Sequence, residues 1–112
     1  MVRRGEVYWF DLGEPEGSVQ AMLRPVLIVQ NNKGNAASPT TIVAAITSQP
    51  KKRYPFHVEF TVAESGLKKN DCVLLEQLHT ISIAELADMA GSLSPEKMVE
   101  VDEALRFSLA LK

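Results

Sequence analysis

The 112-residue chain predicts a mainly β fold: a small, mostly antiparallel, strongly curved sheet or open barrel, with a C-terminal α-helix packed on it. Three observations carry that expectation. Short β-branched or aromatic runs, bounded by Gly, Pro and Asn clusters, fill the first two-thirds of the chain. Helical spacing behind serine caps appears only in the last third. The length suits one domain, residues 1–112, with a single core of moderate size.

In order along the chain, Val7-Tyr8-Trp9-Phe10 is a short aromatic strand ending at Asp11, and Gly13 to Gly17 is a loop by its Gly and Pro content. Met22 to Val29 reads as a buried strand, with Pro25 tolerable near its beginning or on an edge. Asn31 to Asn35 is turn chemistry, because Asn and Gly accept positive φ. Thr40 to Thr47 is a β-branched strand, and Ser48 to Pro55 a basic loop carrying Lys51-Lys52-Arg53. Phe56 to Val62 alternates as a half-buried strand does, and Asp71 to Ile81 holds the longest strand. Ser82-Ile83-Ala84-Glu85 has the pattern of a capping box, so a short helix is expected there, ending before Gly91. A second helix starts with Ser94 as cap and Pro95 at its first position, and Met98, Val101, Leu105 and Leu109 form its apolar face.

Composition narrows the function classes. A hydrophobic share of 46% with 23% charged residues argues against a disordered chain. No apolar run approaches the roughly 18 residues of a membrane span, and no signal-peptide core follows Met1-Val2-Arg3-Arg4. The single cysteine, Cys72, excludes an internal disulfide and reads as a reduced, buried thiol. Together these point to a cytoplasmic protein without a membrane partner. The net charge of −2 argues mildly against nucleic acid, yet its distribution is uneven. Through Asn70 there are nine Lys/Arg against six Asp/Glu, a balance of +3; from Asp71 onward three against eight give −5. A basic front with an acidic back suits a protein that meets phosphate on one face, and a solvated surface with chance asymmetry is the other reading.

Metal and nucleophile templates are empty. One cysteine and the separated His57 and His79 offer no metal-ligand spacing, and neither a phosphate loop nor a Gly-x-Ser-x-Gly elbow is present. A catalyst here would work without metal or organic cofactor, through placed cations and hydroxyls. Arg24, between a turn-rich loop and the all-apolar Val26 to Val29, is expensive to place unless its donors meet an anion or a carboxylate. A phosphate is one such partner; an acid such as Glu76 is the other. If the strand bearing Arg24 neighbours the one ending at Thr47, both side chains emerge at loop ends and share a pocket. Otherwise Thr47 is an ordinary β-branched strand residue. Arginine and hydroxyl donors of this kind stabilise the added charge of a pentacoordinate phosphorane. Ser18, Gln20, Ser48, Gln49, Glu76 and Gln77 are candidates for holding RNA, since amides and carboxylates read splayed bases. The alternative for each is a polar loop or strand-end residue.

Gly17-Ser18-Val19-Gln20, followed by Arg24-Pro25-Val26-Leu27-Ile28-Val29-Gln30-Asn31, resembles the signature of the MazF/PemK-type toxins of bacterial toxin–antitoxin pairs. Arg4-Gly5-Glu6-Val7-Tyr8, Ala44-Ala45-Ile46-Thr47, Leu74-Leu75-Glu76-Gln77 and Val101-Asp102-Glu103-Ala104-Leu105 match in the right order, so the resemblance covers nearly the whole chain. It implies an SH3-like barrel and a metal-independent endoribonuclease toxin that cuts single-stranded RNA, mRNA in particular, at short sequences. The products it implies are a 2′,3′-cyclic phosphate and a 5′-hydroxyl, with the RNA's own 2′-OH as nucleophile. It casts Arg24 and Thr47 as the catalytic pair, and implies a homodimer neutralised by a cognate antitoxin whose acidic tail covers the RNA site. DNA binding would belong to the toxin–antitoxin complex. Two competitors remain at this point: a gyrase-inhibiting toxin of the same fold, and an RNA-binding module of weakened catalysis.

The chain departs from the family pattern at three places. Val19 stands where an acid is common, Ala21-Met22-Leu23 where a glycine is common, and His79 where an arginine is common. One expectation is that His79 lies near the pocket and supplies the titrating group that Val19 cannot. The other is a strand-end histidine with a satisfied hydrogen bond. His57, inside an alternating strand, reads as structural.

Overall fold

The computed structural model describes residues 1–13, 23–48 and 52–112. Six strands form one antiparallel sheet: β1 (Glu6–Asp11), β2 (Leu23–Ile28), β3 (Thr40–Thr47), β4 (His57–Phe60), β5 (Asp71–Ser82) and β6 (Met89–Ser92), in the spatial order β4-β5-β3-β2-β1-β6. Helix α1 (Asn32–Ala37) joins β2 to β3, α2 (Val62–Ser65) follows β4, and α3 (Pro95–Ser108) closes the chain. The expected curved sheet with a C-terminal helix is what forms.

The curl has a definite origin in β5. Its second half pairs with β3 from Ser82 opposite Thr40 to Leu78 opposite Ala44; its first half pairs from Leu74 opposite Ala45 to Cys72 opposite Thr47. Leu75, Glu76 and Gln77 therefore stand opposite no β3 residue, and the strand bends there as bulged strands do. The backbone groups of the bend are satisfied elsewhere: Leu75 N–H donates to the Phe56 carbonyl at 2.9 Å, and its carbonyl accepts from Ser108 Oγ at 2.9 Å. Beyond the bend β4 takes over, with Val58 opposite Val73 and Phe60 opposite Asp71.

Both faces of the central strands are covered, which is why Val26 to Val29 is apolar without alternation. On one face Val7, Leu27, Ala44, Ile46, Val73 and Leu75 pack beneath Val101 and Ala104 of α3. On the other, Phe10, Val26, Ile28, Val43 and Ile81 pack with Val2 and the half-buried Tyr8, Leu12, Ile83 and Leu86. Helix α3 is as the sequence reads it at its start: Ser94 Oγ accepts from Lys97 N–H at 3.2 Å, and Pro95 occupies the first turn. At its other end Leu109 departs from expectation. It is 50% exposed, and Ala104 takes the inward place.

Three further expectations are corrected. The Asn-rich segment after β2 is helix α1: Asn31 Oδ1 caps it by accepting from Gly34 N–H at 2.7 Å. Its Asn35 is buried, donating to the Gln30 carbonyl at 3.0 Å and accepting from Thr41 Oγ1 at 2.7 Å. A turn residue became a core plug because every polar atom of its amide found a partner. The second correction concerns Ser82 to Glu85, which makes a single 3₁₀ turn with no side-chain cap. The following residues are claimed by the sheet instead, since β6 pairs with β1 as an edge strand, Ser92 opposite Glu6 and Gly91 opposite Val7. The predicted strand from Phe56 to Val62 is likewise shorter. It ends at Phe60, and Glu64 accepts from Thr61 N–H at 2.9 Å to open α2.

Candidate nucleic-acid interface

Strands β2 and β3 are neighbours with Val26 opposite Ala45 and Ile28 opposite Val43. Two steps further along the same register, Arg24 falls across from Thr47, where facing Cβ atoms lie roughly 5 Å apart. Both residues are half-buried at strand ends. They line one cavity of about 650 Å³, together with Trp9, Leu23, Pro25, Ile46, Ser48, Gly66, Leu67, Lys68, Lys69, Asp71, Met89 and Ala90.

The pleat sorts these side chains. Arg24 lies opposite Phe10, on the face away from α3, and Thr47 shares that side. Trp9 lies opposite Pro25, and these alternate onto the α3 side with Ile46 and Ser48. One step past the Thr47–Cys72 pair the register brings Asp71 opposite Ser48. The cavity therefore opens at the ends of four strands, with an apolar slot on the α3 side and Arg24 and Thr47 at its rim.

Local structure holds each wall. The Trp9 backbone is fixed by Asp88 and Ala87, its N–H donating to the Asp88 carbonyl at 3.0 Å and its carbonyl accepting from Ala87 N–H at 2.8 Å. Lys68 and Lys69 stand exposed on the segment after α2, which turns at Gly66 (φ 74°) and is anchored by the buried Leu67. That segment reaches the site because Gly91 of β6 carries no side chain: a Cβ there would collide with the Ser65 carbonyl oxygen. Arg24, Lys68 and Lys69 thus place three cations around one opening, a field that attracts a polyanion.

Asp71 is the acid in this lining. It is 3% exposed, and its Oδ1 has no hydrogen-bond partner among the described residues. Burial pushes its carboxyl above the usual range, while the charges of Lys69 and Arg24 pull it back. Sequence reading missed Trp9, Lys68, Lys69 and Asp71 as site residues; the surplus of cations before Asn70 was the one signal that included the two lysines.

The remaining expected site residues scatter. Ser48 lines the cavity. Ser18, Gln20 and Gln49 lie outside the described residues, as do Val19 and Lys51. Glu76 and Gln77 stand exposed on the β5 bend, where Glu76 Oε2 meets His57 Nε2 at 3.0 Å. So Glu76 partners a histidine rather than Arg24, and His57, its side chain 6% exposed, has the structural place expected of it. The proposed closeness of His79 to the pocket is overturned. His79 is exposed opposite Val43, four β3 residues from Thr47 and so ~13 Å along the strand, and it is absent from the lining. Of the basic loop, Arg53 is tied to Glu59 at 2.7 Å and Lys52 lies 5.6 Å from the Tyr54 ring centroid. Among the described residues no three His, Cys, Asp or Glu side chains gather as metal ligands would. No helix there is long and apolar enough to cross a membrane.

Comparison with known proteins supplies a family and a fold for the chain. Residues 3–109 match the family described as PemK-like, MazF-like toxin of type II toxin–antitoxin system. Endoribonuclease EndoA of Bacillus subtilis (strain 168) is 48% identical over 112 residues, covering 99% of this chain and 97% of that protein. A mycobacterial endoribonuclease, solved in complex with its cognate antitoxin, superposes with a TM-score of 0.84 at 26% identity, covering 100% of this chain and 98% of that one. MazF from Deinococcus radiodurans shares the fold, with a TM-score of 0.78 at 21% identity over 98% of this chain and 97% of that one.

Proposed function

The chain belongs to the PemK-like, MazF-like toxins of type II toxin–antitoxin systems, and from that membership we propose that it is an endoribonuclease whose scissile phosphate sits at the Arg24–Thr47 rim. The observation that carries this reading is the register of β2 and β3, which sets a guanidinium and a hydroxyl side by side at the mouth of one cavity flanked by Lys68 and Lys69. The substrate is single-stranded RNA, because a base must leave its stack to enter a slot between strand ends.

The chemistry is a transesterification. The 2′-oxygen attacks phosphorus and its proton passes to solvent; the O2′–P bond forms, the P–O5′ bond breaks, and the leaving 5′-oxygen takes a proton from water. A 2′,3′-cyclic phosphate and a 5′-hydroxyl result. Arg24 offers two parallel donors to the phosphoryl oxygens and Thr47 a third, so charge developing on the phosphorane meets fixed dipoles. A guanidinium pKa above about 12 makes Arg24 a clamp rather than a base. This step needs no metal. The same cations suit the acidic segment of a cognate antitoxin, which would silence the enzyme by occupying the rim. The working form is a cytoplasmic homodimer that cuts mRNA at a short motif.

Incubating the purified protein with a long single-stranded RNA in excess EDTA, and mapping ends at nucleotide resolution, tests the reading. Cleavage at one short motif with cyclic-phosphate ends, lost in Arg24→Ala, is expected. RNA left intact by the wild-type protein would overturn the ribonuclease assignment.

A further inference from the structure

The cavity extends well past the Arg24–Thr47 rim, and phosphate chemistry alone leaves its inner half without a role. That half is a slot walled by Trp9, Pro25, Ile46 and Leu67 with a single charged group, Asp71, in its lining. The whole cavity, about 650 Å³, lies within the range of small-molecule sites, roughly 300–1,000 Å³. Leu23 is 54% and Met89 49% exposed at the mouth, where apolar side chains would otherwise be disfavoured beside three cations. Asp71 adds an independent sign. A buried carboxylate oxygen without a donor costs the fold free energy, which a donor reaching the Asp71 carboxylate at the end of the slot would recover.

We infer that this slot holds a nucleobase of the RNA adjoining the scissile phosphate, stacked on Trp9 and donating an amino hydrogen to the Asp71 carboxylate. The inference rests on the ribonuclease reading for the identity of its ligand. A carboxylate can only accept, so it favours adenine, cytosine or guanine, each of which carries an exocyclic amino group. Uracil presents a carbonyl oxygen on either side of its single N–H and is repelled. The indole supplies the sequence-tolerant stacking surface, and Lys68, Lys69 and Arg24 take the flanking phosphates. Asp71 is thereby a specificity-determining residue, and Trp9 the platform on which the selected base rests.

Trp9 is the only tryptophan of the chain, so its fluorescence reports on the slot directly. The experiment titrates the protein with oligonucleotides carrying a 2′-deoxy sugar at the cut site, so that they bind without being cleaved. One contains the cognate base; another replaces it with the analogue that lacks the amino group. Cleavage of the matching all-ribose substrates is measured in parallel. The expected result is quenching of Trp9 by the cognate oligonucleotide and a loss of roughly 5- to 150-fold in affinity and kcat/KM for the analogue. Asp71→Leu, which leaves no acceptor at this position and is checked for folding by its melting curve, should bind the two oligonucleotides alike.

Cleavage without quenching, with cognate and analogue equal in the wild-type protein, would overturn the slot and leave the ribonuclease standing. Quenching that discriminates the two bases without any cleavage would support the slot and remove the ribonuclease. Discrimination that survives in folded Asp71→Leu would overturn the role given to Asp71. The comparison of oligonucleotides uses the wild-type protein, so it decides the question even if the variant does not fold.

Discussion

Replacing Lys68 and Lys69 together by glutamine removes two of the three cations around the cavity mouth while leaving Arg24 in place. Both side chains are exposed, so the fold loses no packing and the variant should melt within about 0.5 kcal/mol of wild type. Binding should respond differently. Each phosphate neutralised on a single strand contributes about 0.7 to the slope of log K against log salt, so two lysines contribute about 1.4. Between about 50 and 200 mM salt, a fourfold range, the affinity advantage of wild type over the variant should therefore shrink about sevenfold. The assay is fluorescence anisotropy of a labelled oligonucleotide with a 2′-deoxy sugar at the cut site, across that salt range. Lys69 has a second effect to look for. It is the larger of the two charges that hold the Asp71 carboxyl down against burial, so its loss should raise the pH at which Asp71 ionises. A slope identical to wild type would refute the placement of the lysines against the RNA backbone.

Gly91→Ala should destabilise by about 1–3 kcal/mol in chemical denaturation, since the added methyl meets the Ser65 carbonyl oxygen, which is backbone and cannot swing away. Because the segment after α2 carries Lys68 and Lys69 to the site, the same variant should also weaken RNA binding. Asp71→Asn should be at least as stable as wild type at neutral pH. The folded-state pKa is raised, so the native carboxyl holds its proton to a higher pH than the unfolded one, and stability is lost as pH rises from the unfolded value near 3.8 through the folded one. Removing the group should flatten that fall in melting temperature against pH, and an unchanged curve would contradict it. The Cys72 thiol, pushed up to about 11 by burial and then by Glu59 and Glu76, should resist a disulfide reagent at pH 8 until the protein is unfolded.

Much of the fold was legible because several segments had a single way to satisfy themselves. Thr40 to Thr47, all β-branched or small, became β3 at its expected bounds, and the Asp71 segment became the longest strand. Ser94-Pro95 set the start of α3 by the first-turn chemistry of serine and proline. What misled was local chemistry that tertiary contacts overrode. Asn31 to Asn35 carries turn residues, yet Asn31 serves as a helix cap and Asn35 finds Gln30 and Thr41 in the core. Ser82 to Glu85 carries a cap pattern, yet the pairing of β6 with β1 leaves room for one turn only.

The site divides in the same way. Arg24 and Thr47 come together because consecutive antiparallel strands fix partners by register, which a sequence can suggest. Lys68, Lys69 and Asp71 arrive from a segment some twenty residues further on, brought in by Gly66 and by the bare backbone at Gly91, and no spacing announces that. His79 was misplaced because β5 runs antiparallel away from the site: Cys72 faces Thr47, and seven residues further on His79 faces Val43.

The central claim is that Arg24 and Thr47 act on one phosphate as a unit, and a double-mutant cycle on single-turnover RNA cleavage tests it most directly. Arg24→Ala and Thr47→Ala should each slow the cut by about 10²–10³ with RNA binding largely retained. The double variant should fall little below the slower single one, as groups serving one transition state do. Losses that multiply to about 10⁴–10⁶, or a single variant that cuts at the wild-type rate, would show that the two residues do not share the reacting phosphate.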